Sequence, residues 1–172
     1  MVTGLFFDCV KRDDIQEVEA MLKQNMSVHA KAEEDDNNTA LHYAARHGHR
    51  RMCRFLLNQG AEINKKTTDR RMTALHEAAS NGHESVVVFL VEKQANPNAQ
   101  NDEGNTPLHL AAAEGHIDVV KALVRKDADG YIVNRDGRTA LAIATKARQS
   151  EVAQYLGRKS ERKETVLWPG LA

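Results

Sequence analysis

A sequence motif that recurs about every 33 residues is the strongest constraint on the fold of this chain. "TALHYAARHGH" begins at Thr39, "TALHEAASNGH" at Thr73, "TPLHLAAAEGH" at Thr106 and the weaker "TALAIATKARQ" at Thr139. A period of this length indicates a repeat protein, in which each unit is one supersecondary structure that buries its apolar face against its neighbours. The chain is therefore expected to fold as a stack of similar units.

Each unit has the pattern of two helices followed by a polar finger. The motif precedes a second amphipathic run, "RRMCRFLL", "ESVVVFLV", "IDVVKALV" or "SEVAQYL", whose apolar residues have helical spacing. Gly48, Gly82 and Gly115 end the first helix, where a left-handed backbone conformation favours glycine. Upstream, "LFFDCVKRDDIQEVEAML" has the same helical pair, with Asp13-Asp14 in place of Gly-His. The pattern thus predicts five units.

The T-P-L-H-x-A-A, G-H and A-x-x-N elements of these units resemble ankyrin repeats over about residues 3–157. The resemblance implies an all-α repeat solenoid of stacked helix-turn-helix units with β-hairpin fingers. The first and last units depart from the motif and are expected to be caps. We expect a repeat domain over residues 1–157, with repeats at about 3–38, 39–72, 73–105, 106–138 and 139–157.

Residues 158–172 form a C-terminal tail with two different parts. Its charged first part can extend the last helix to about residue 162, and the apolar segment "VLWPGLA" follows. This segment either folds back on the last repeat as an added cap, or is disordered, or docks a partner through Trp168, a residue type favoured at binding hot spots. The sequence leaves these alternatives open.

The stretch "HEAASNGHE", His76 to Glu84, invites a catalytic or metal-binding interpretation. A zinc-protease helix needs two histidines four residues apart, and the residue four after His76 is Ser80. In proteins of the ankyrin family the first histidine of the motif bonds with the threonine that starts its helix and with the backbone of a neighbouring finger. Six of the eight histidines occupy two repeated positions: His42, His76 and His109 in T-x-L-H, and His49, His83 and His116 after glycine.

A catalytic site is built once and is not copied in every repeat, so this repetition favours structural roles. We therefore predict no catalytic residue, no bound metal and no cofactor. The alternative is an enzyme or metal-binding protein that uses the two rows of histidines. Stoichiometric zinc in the purified protein would favour that alternative.

Charge and cysteine content narrow the partners and the compartment. Lys plus Arg and Asp plus Glu are both 24, so the formal net charge is zero. The chain as a whole therefore has no excess positive charge that would attract a nucleic acid or an anionic membrane. Cys9 and Cys53 lie in helical patterns, as small core residues do in a reducing compartment. "MVTGLFFDCVKRDD" is apolar for only a few residues before its charges, so we expect it to be neither a signal peptide nor a membrane span. We expect a monomer in the cytoplasm, with the nucleus as the alternative.

These observations favour a non-catalytic protein interaction module, that is, an adaptor, scaffold or inhibitor. A weaker alternative is the ankyrin portion of a larger assembly with no target of its own. The resemblance implies that a protein partner binds the concave face, at finger tips and at the exposed ends of the first helices. The candidate partner-binding residues, which we expect to have no internal role, are Arg46, His47, Arg70, Met72, Ser80, Asn81, Glu103, Asn105, Glu114 and Arg138.

Arg46 and Arg70 are expected to be exposed, so changing both to glutamate should weaken binding by at least about tenfold and leave the melting temperature nearly unchanged. The fingers add a charge pattern with two interpretations. Either the acidic first finger and the basic second finger neutralise each other, or they form a bipolar recognition patch. The charged residues are Glu33, Glu34, Asp35 and Asp36 in the first finger, and Lys65, Lys66, Arg70 and Arg71 in the second.

The third finger is acidic again at Asp102 and Glu103. A continuous basic stripe along the fingers, which a phosphate backbone would need, is therefore interrupted.

Overall fold

The structure, a computed structural model, describes residues 2–32 and 35–167 of the chain. In this part, the helices form five consecutive pairs. They are α1 (Val2–Lys11), α2 (Ile15–Lys23), α3 (Ala40–Arg46), α4 (Arg50–Asn58), α5 (Ala74–Ser80), α6 (Glu84–Glu92), α7 (Pro107–Glu114), α8 (Ile117–Arg125), α9 (Ala140–Lys146) and α10 (Ser150–Leu167).

The helix pairs stack into two rows. The first helices of the pairs form an inner row, in which α1 packs on α3, α3 on α5, α5 on α7 and α7 on α9. The second helices form an outer row, in which α4 packs on α6, α6 on α8 and α8 on α10. Corresponding helices of neighbouring repeats thus pack on each other from α1 to α9 in the inner row and from α4 to α10 in the outer row, and the predicted all-α repeat solenoid is confirmed.

Regular strand pairing is confined, within the described residues, to the first finger. There β1 (Lys31–Ala32) pairs antiparallel with β2 (Asn38–Thr39), with Lys31 opposite Thr39 and Ala32 opposite Asn38. The later fingers close with single backbone bonds in place of strands. In the third finger, for example, the amide of Asn101 donates to the carbonyl of Asn105 at 2.9 Å.

Neighbouring fingers are joined to each other through the backbone. At each junction an amide of the later finger donates to a carbonyl near the tip of the earlier one, which ties the row of fingers together. The bonds run from Thr68 to Asp36 at 3.1 Å, from Asp102 to Arg70 at 3.1 Å and from Arg135 to Glu103 at 2.9 Å.

The core lies between the two helix rows and repeats with the sequence. Leu41, Leu75 and Leu108, which follow the threonine of each motif by two residues, are at most 1% exposed. Cys9 and Cys53 are free and buried, as predicted. Burial raises the pKa of the Cys53 thiol to about 12, so this cysteine is an inert core residue.

The predicted ends of the first helices are confirmed. Gly48, Gly82 and Gly115 have φ values of +76°, +76° and +78°. The first and last units reach the same left-handed conformation without glycine, at Asp13 (φ +59°) and Arg148 (φ +60°). The left-handed turn between the two helices is therefore common to all five units, although two of them lack glycine, the residue that adopts this conformation most easily.

The last helix is twice as long as its counterparts in the outer row. Helix α10 has 18 residues, whereas α4, α6 and α8 have 9 each, and it continues beyond the predicted residue 162 to Leu167. Trp168 lies outside the described residues, so the three interpretations of the apolar tail stay predictions. Within residues 2–32 and 35–167, no helix has the length and apolar composition needed to cross a membrane.

Candidate functional site

The first histidine of each motif is fully engaged by its own repeat and the next finger. His76 Nε2 lies 3.0 Å from the carbonyl oxygen of Asn105, and because a carbonyl only accepts, Nε2 carries the proton. Nδ1 then accepts from the backbone amide of Thr73 at 3.2 Å and from its hydroxyl at 2.8 Å. The same bonds link His42 with Thr39 and Met72, and His109 with Thr106 and Arg138.

The structural role predicted for this row of histidines is thus confirmed. Burial lowers the pKa of His76 to about 4, and burial also lowers the pKa of His42 and of His109. These rings are neutral at physiological pH, and both of their nitrogens already have partners, so they offer neither a base nor a metal ligand. Among the described residues, no group of three or more His, Cys, Asp or Glu side chains has the arrangement of a metal site.

The second histidine of each motif bonds backwards to the preceding repeat. Its Nε2 donates to a carbonyl at the end of the preceding inner helix, a partner that the sequence did not predict. In the last repeat Gln149 replaces histidine, and its Nε2 donates to the carbonyl of Ala113 at 3.1 Å. The histidine bonds join His49 to Lys11 at 2.7 Å, His83 to Arg46 at 2.8 Å and His116 to Ser80 at 3.0 Å.

With the repeated histidines engaged, the candidate site is the surface formed by the fingers and the C-terminal ends of the inner helices, which we call the concave face. Arg46 stands at the end of α3. Its Nε and Nη2 donate to the two carboxylate oxygens of Glu77 at 2.9 and 3.1 Å, and its Nη1 donates to Asp35 at 3.3 Å. Glu77 is only 3% exposed. The expectation that Arg46 has no internal role is therefore wrong.

Tyr43 extends this network to the first finger. Its hydroxyl donates to Asp35 Oδ2 at 2.7 Å, and this bond is the main cause that holds the pKa of Asp35 below its usual value. The Tyr43 ring lies 5.2 Å from that of Phe7, and the Lys11 ammonium lies 4.7 Å above it. The first finger is thus fixed to the first two inner helices by an aromatic and ionic cluster.

The acidic tip of the first finger binds the second finger. The carboxylate of Asp36 accepts from the backbone amides of Asp69 and Arg70, and the Arg70 guanidinium lies 3.9 Å from it. Asp36 thereby neutralises part of the positive charge of the second finger. This contact agrees with the interpretation that the first two fingers neutralise each other. Glu33 and Glu34 lie outside the described residues.

The basic side of the second finger is also partly engaged. Lys65 lies 3.3 Å from Glu62 in its own repeat, and Lys66 donates to the carbonyl of Gln100 in the third finger at 2.7 Å. Arg70 keeps 58% of its side chain exposed, although Glu77 lies 3.8 Å away. Of these basic residues, Arg70 therefore stays accessible to a partner at the fingertip.

Met72 and Asn105, two candidate contact residues, are only 5% and 7% exposed. Each precedes the threonine of the next motif and ends its own repeat, and its carbonyl accepts the Nε2 proton of the T-x-L-H histidine of that same repeat, His42 or His76. Asn105 also accepts from Asn134 of the next finger at 2.9 Å. The expectation that they have no internal role is wrong, because this position connects each finger to the inner helix before it.

Three further candidates, the exposed Glu103 and the half-buried Ser80 and Arg138, also make internal contacts. Glu103 accepts from the side chain of Asn105 at 2.8 Å, and Arg138 pairs with Asp136 at 3.2 Å. Ser80 takes part through its carbonyl, which receives the bond from His116. These residues lie on the concave face, but the groups that make these contacts are already engaged within the stack.

Three exposed candidates stand at the ends of successive inner helices. His47, Asn81 and Glu114 are exposed at the ends of α3, α5 and α7. The His47 ring stacks on His49 at 5.9 Å, and partial burial, followed by the nearby positive charges, lowers its pKa. Asn81 donates to the carbonyl of Glu77 at 2.8 Å. Together they form a row that crosses three repeats.

Stacked helix pairs, with a Thr–His bond in each full motif and a left-handed turn within each pair, define this chain as a helical solenoid repeat protein. A family model described as ankyrin repeats (3 copies) matches residues 6–101 and 75–165. These matches cover most of the chain, which therefore belongs to the ankyrin repeat family. No curated protein matches it.

Proposed function

We propose that this protein is a non-catalytic interaction module, acting as an adaptor, scaffold or inhibitor, that binds a protein partner on its concave face. Ankyrin repeats are generally protein–protein interaction modules. The observation that carries the proposal is the row of exposed polar side chains, His47, Asn81 and Glu114, at equivalent ends of three successive inner helices. A surface that crosses several repeats offers a partner an extended contact area.

The contact surface has a charge order along the stack. Arg70 supplies positive charge at the second finger, Glu103 supplies negative charge one repeat later, and Glu114 supplies negative charge in the repeat after that. The partner accordingly presents acidic groups opposite Arg70 and basic groups opposite Glu103 and Glu114. Such complementarity sets the association rate and the specificity more than the affinity. Arg46 supports this surface from within, because it holds the first finger and α5 together.

We further propose that the protein is intracellular and monomeric and that it binds no nucleic acid. Two free, buried cysteines support a reducing compartment. A net charge of zero supports a protein partner over a polyanionic nucleic acid. The engagement of both nitrogens in each T-x-L-H histidine supports a non-catalytic role.

Paired charge changes on the concave face test the proposal. We suggest Asn81→Arg combined with Glu114→Lys, because both residues are exposed and the changes leave the core intact. Proteins that bind the wild-type chain saturably in a lysate of the native cell should be lost from this variant. Gln154→Arg, a charge change at an exposed residue of outer helix α10, is the control for location and should retain them. If the control loses the partner and the concave variant keeps it, the proposed surface is wrong.

A further inference from the structure

The outer helix α4 carries three exposed arginines, Arg50, Arg51 and Arg54, on the side of the stack away from the concave face. The guanidinium carbons of Arg50 and Arg54 lie 5.6 and 5.8 Å from the ring centroid of Phe89 on α6. Phe89 is itself only 4% exposed. Two positive charges therefore converge over one aromatic ring, above the groove between α4 and α6, and the ring restricts their position.

Within the described residues, none of the three arginines forms an ion pair. Their positive charges are therefore not neutralised there by a carboxylate. The basic residues of α8, in the same outer row, behave differently. Each has a carboxylate within 4 Å, so that part of the outer face is balanced. The pairs are Lys121 with Glu151 at 3.8 Å, Arg125 with Glu84 at 3.8 Å and Lys126 with Glu92 at 3.2 Å.

Arg50 and Arg51 also do not favour the N-terminus of their own helix. The first turn of α4 has no acidic residue and begins with Arg50 and Arg51. A cation near a helix N-terminus opposes the helix dipole and destabilises the helix. The four other outer helices each place an acidic residue in the first turn: Glu17 in α2, Glu84 in α6, Asp118 in α8 and Glu151 in α10.

We propose that Arg50, Arg51 and Arg54 form a second interaction surface, which binds an acidic peptide segment of a protein partner on the outer face. Guanidinium groups bind carboxylates in a bidentate, planar geometry that lysine does not offer. Residues four apart on a helix rise by about 6 Å. Alternate side chains of an extended peptide are about 6.6–7 Å apart, so two of its carboxylates can meet Arg50 and Arg54 together.

The size and surroundings of the patch favour a peptide over nucleic acid or a membrane. The patch is confined to one helix of 9 residues, and Glu84 and Glu92 stand at the two ends of the adjacent helix α6. A long polyanion or an anionic bilayer that reached beyond α4 would meet these carboxylates. A short acidic segment can avoid them, and its two or three charges match the charge of the arginines.

Titration of a fluorescein-labelled octaglutamate peptide into the full chain tests the proposal. Arg50, Arg51 and Arg54 are changed together to glutamine, and this variant should bind the peptide at least tenfold more weakly than wild type. The matched control changes Arg135, Lys146 and Arg148 to glutamine. It removes the same net charge at exposed residues that form no ion pair within the described residues, so no carboxylate is released beside α4. The control should bind within about twofold of wild type. Equal losses in the two variants, or no binding by wild type, would overturn the proposal.

Two further binding experiments locate the surface and identify the class of its ligand. The concave variant Asn81→Arg with Glu114→Lys should bind octaglutamate within about twofold of wild type, and a tenfold loss there would place the site on the wrong face. A duplex DNA and phosphatidylserine vesicles are titrated in parallel. If either binds through the three arginines and the peptide does not, the acidic-peptide assignment fails. Far-UV circular dichroism and urea midpoints confirm that both triple variants are folded.

Discussion

His83 lies directly against Gly48 of the preceding repeat. A Cβ atom on Gly48 would stand 2.7 Å from His83 Nδ1, while His83 Nε2 donates to the carbonyl of Arg46 at 2.8 Å. The glycine is thus required both for its left-handed backbone and for the approach of the next repeat. The second histidine of the motif secures the same end of the inner helix, at which Arg46 and His47 face the concave side.

Replacing Gly48 by alanine should therefore cost more than the backbone conformation alone. We expect a loss of roughly 2–4 kcal/mol, from the left-handed conformation and the collision with His83 together. Gly60→Ala is the matched control, because Gly60 also has a positive φ, +91°, but nothing lies within 4 Å of its Cβ position. It should lose about 1 kcal/mol. Urea unfolding of the two variants measures the difference, and equal losses would contradict the role given to His83.

Arg46→Ala should be destabilising, because it leaves the nearly buried carboxylate of Glu77 without its bidentate partner. We expect a loss of about 2–3 kcal/mol in urea unfolding. Arg70→Ala is the comparison: Arg70 is 58% exposed and 3.8 Å from Glu77, so it should lose less than about 1 kcal/mol. The double change to glutamate at Arg46 and Arg70 should therefore lower the melting temperature, contrary to the sequence-based expectation. An unchanged melting temperature would show that Glu77 does not depend on Arg46.

Stability should fall as the pH drops below about 6.5, because His76 must stay neutral to keep its bonds to Thr73. Its folded pKa of about 4 lies below the ordinary value near 6.5, so the unfolded chain binds more protons between these two pH values. From pH 7.5 to pH 5 this residue alone should contribute a loss of about 2 kcal/mol. The lowered pKa values of His42 and His109 act in the same direction.

Urea unfolding at several pH values measures this loss, and nitrogen-15 NMR of the imidazoles assigns it. His76 should show the neutral Nε2-protonated form at pH 5.5. Titration of His76 between pH 6 and 7 in the folded protein would contradict the assignment. The Asp35 and Asp36 carboxylates, whose pKa values are lowered from 3.8, affect stability only at a more acidic pH.

The sequence predicts best what recurs in every repeat. The Thr73–His76 bonds and the left-handed Gly82 could be predicted because both follow from positions within one motif. The Arg46–Glu77 pair could not, because it joins residues 31 apart that are not fixed by the repeat and that meet only when two units stack. The burial of Met72 was also missed: its carbonyl receives a bond from His42, 30 residues earlier in the same repeat.

The same limit applies to the outer face. The sequence shows the three arginines of α4, but not which basic residues are neutralised. Arg125 on α8 looks equally free in the sequence, yet the structure places it 3.8 Å from Glu84 of the preceding repeat. Arg54 has no such partner among the described residues. The contacts between stacked units therefore show which exposed residues of a repeat protein are candidates for binding and which already have internal partners.

The central repeats should be the most protected part of the stack. Helices α5 and α7 have inner-row neighbours on both sides, whereas α9 has α7 on one side only within the described residues. In a stack whose stability comes from neighbour contacts, opening should be least frequent at the centre. Amide exchange should be slower over residues 107–124 than over residues 139–156. The opposite order would show that helix α10 stabilises the last repeat more than a neighbouring repeat does.

Arg148→Gly should stabilise the last repeat, in contrast to the glycine replacements above. Arg148 occupies the left-handed position of Gly48, Gly82 and Gly115, at φ +60°, and no further helix pair follows α10 within the described residues. Glycine relieves the left-handed conformation by about 1 kcal/mol and removes no described side-chain contact. The bond from Gln149 to the carbonyl of Ala113 stays in place, so the cap keeps its attachment to α7. Amide exchange over residues 139–156 should become slower, with rates over residues 39–58 unchanged. Faster exchange in the last repeat would mean that the arginine side chain, and not the backbone turn, stabilises this end of the stack.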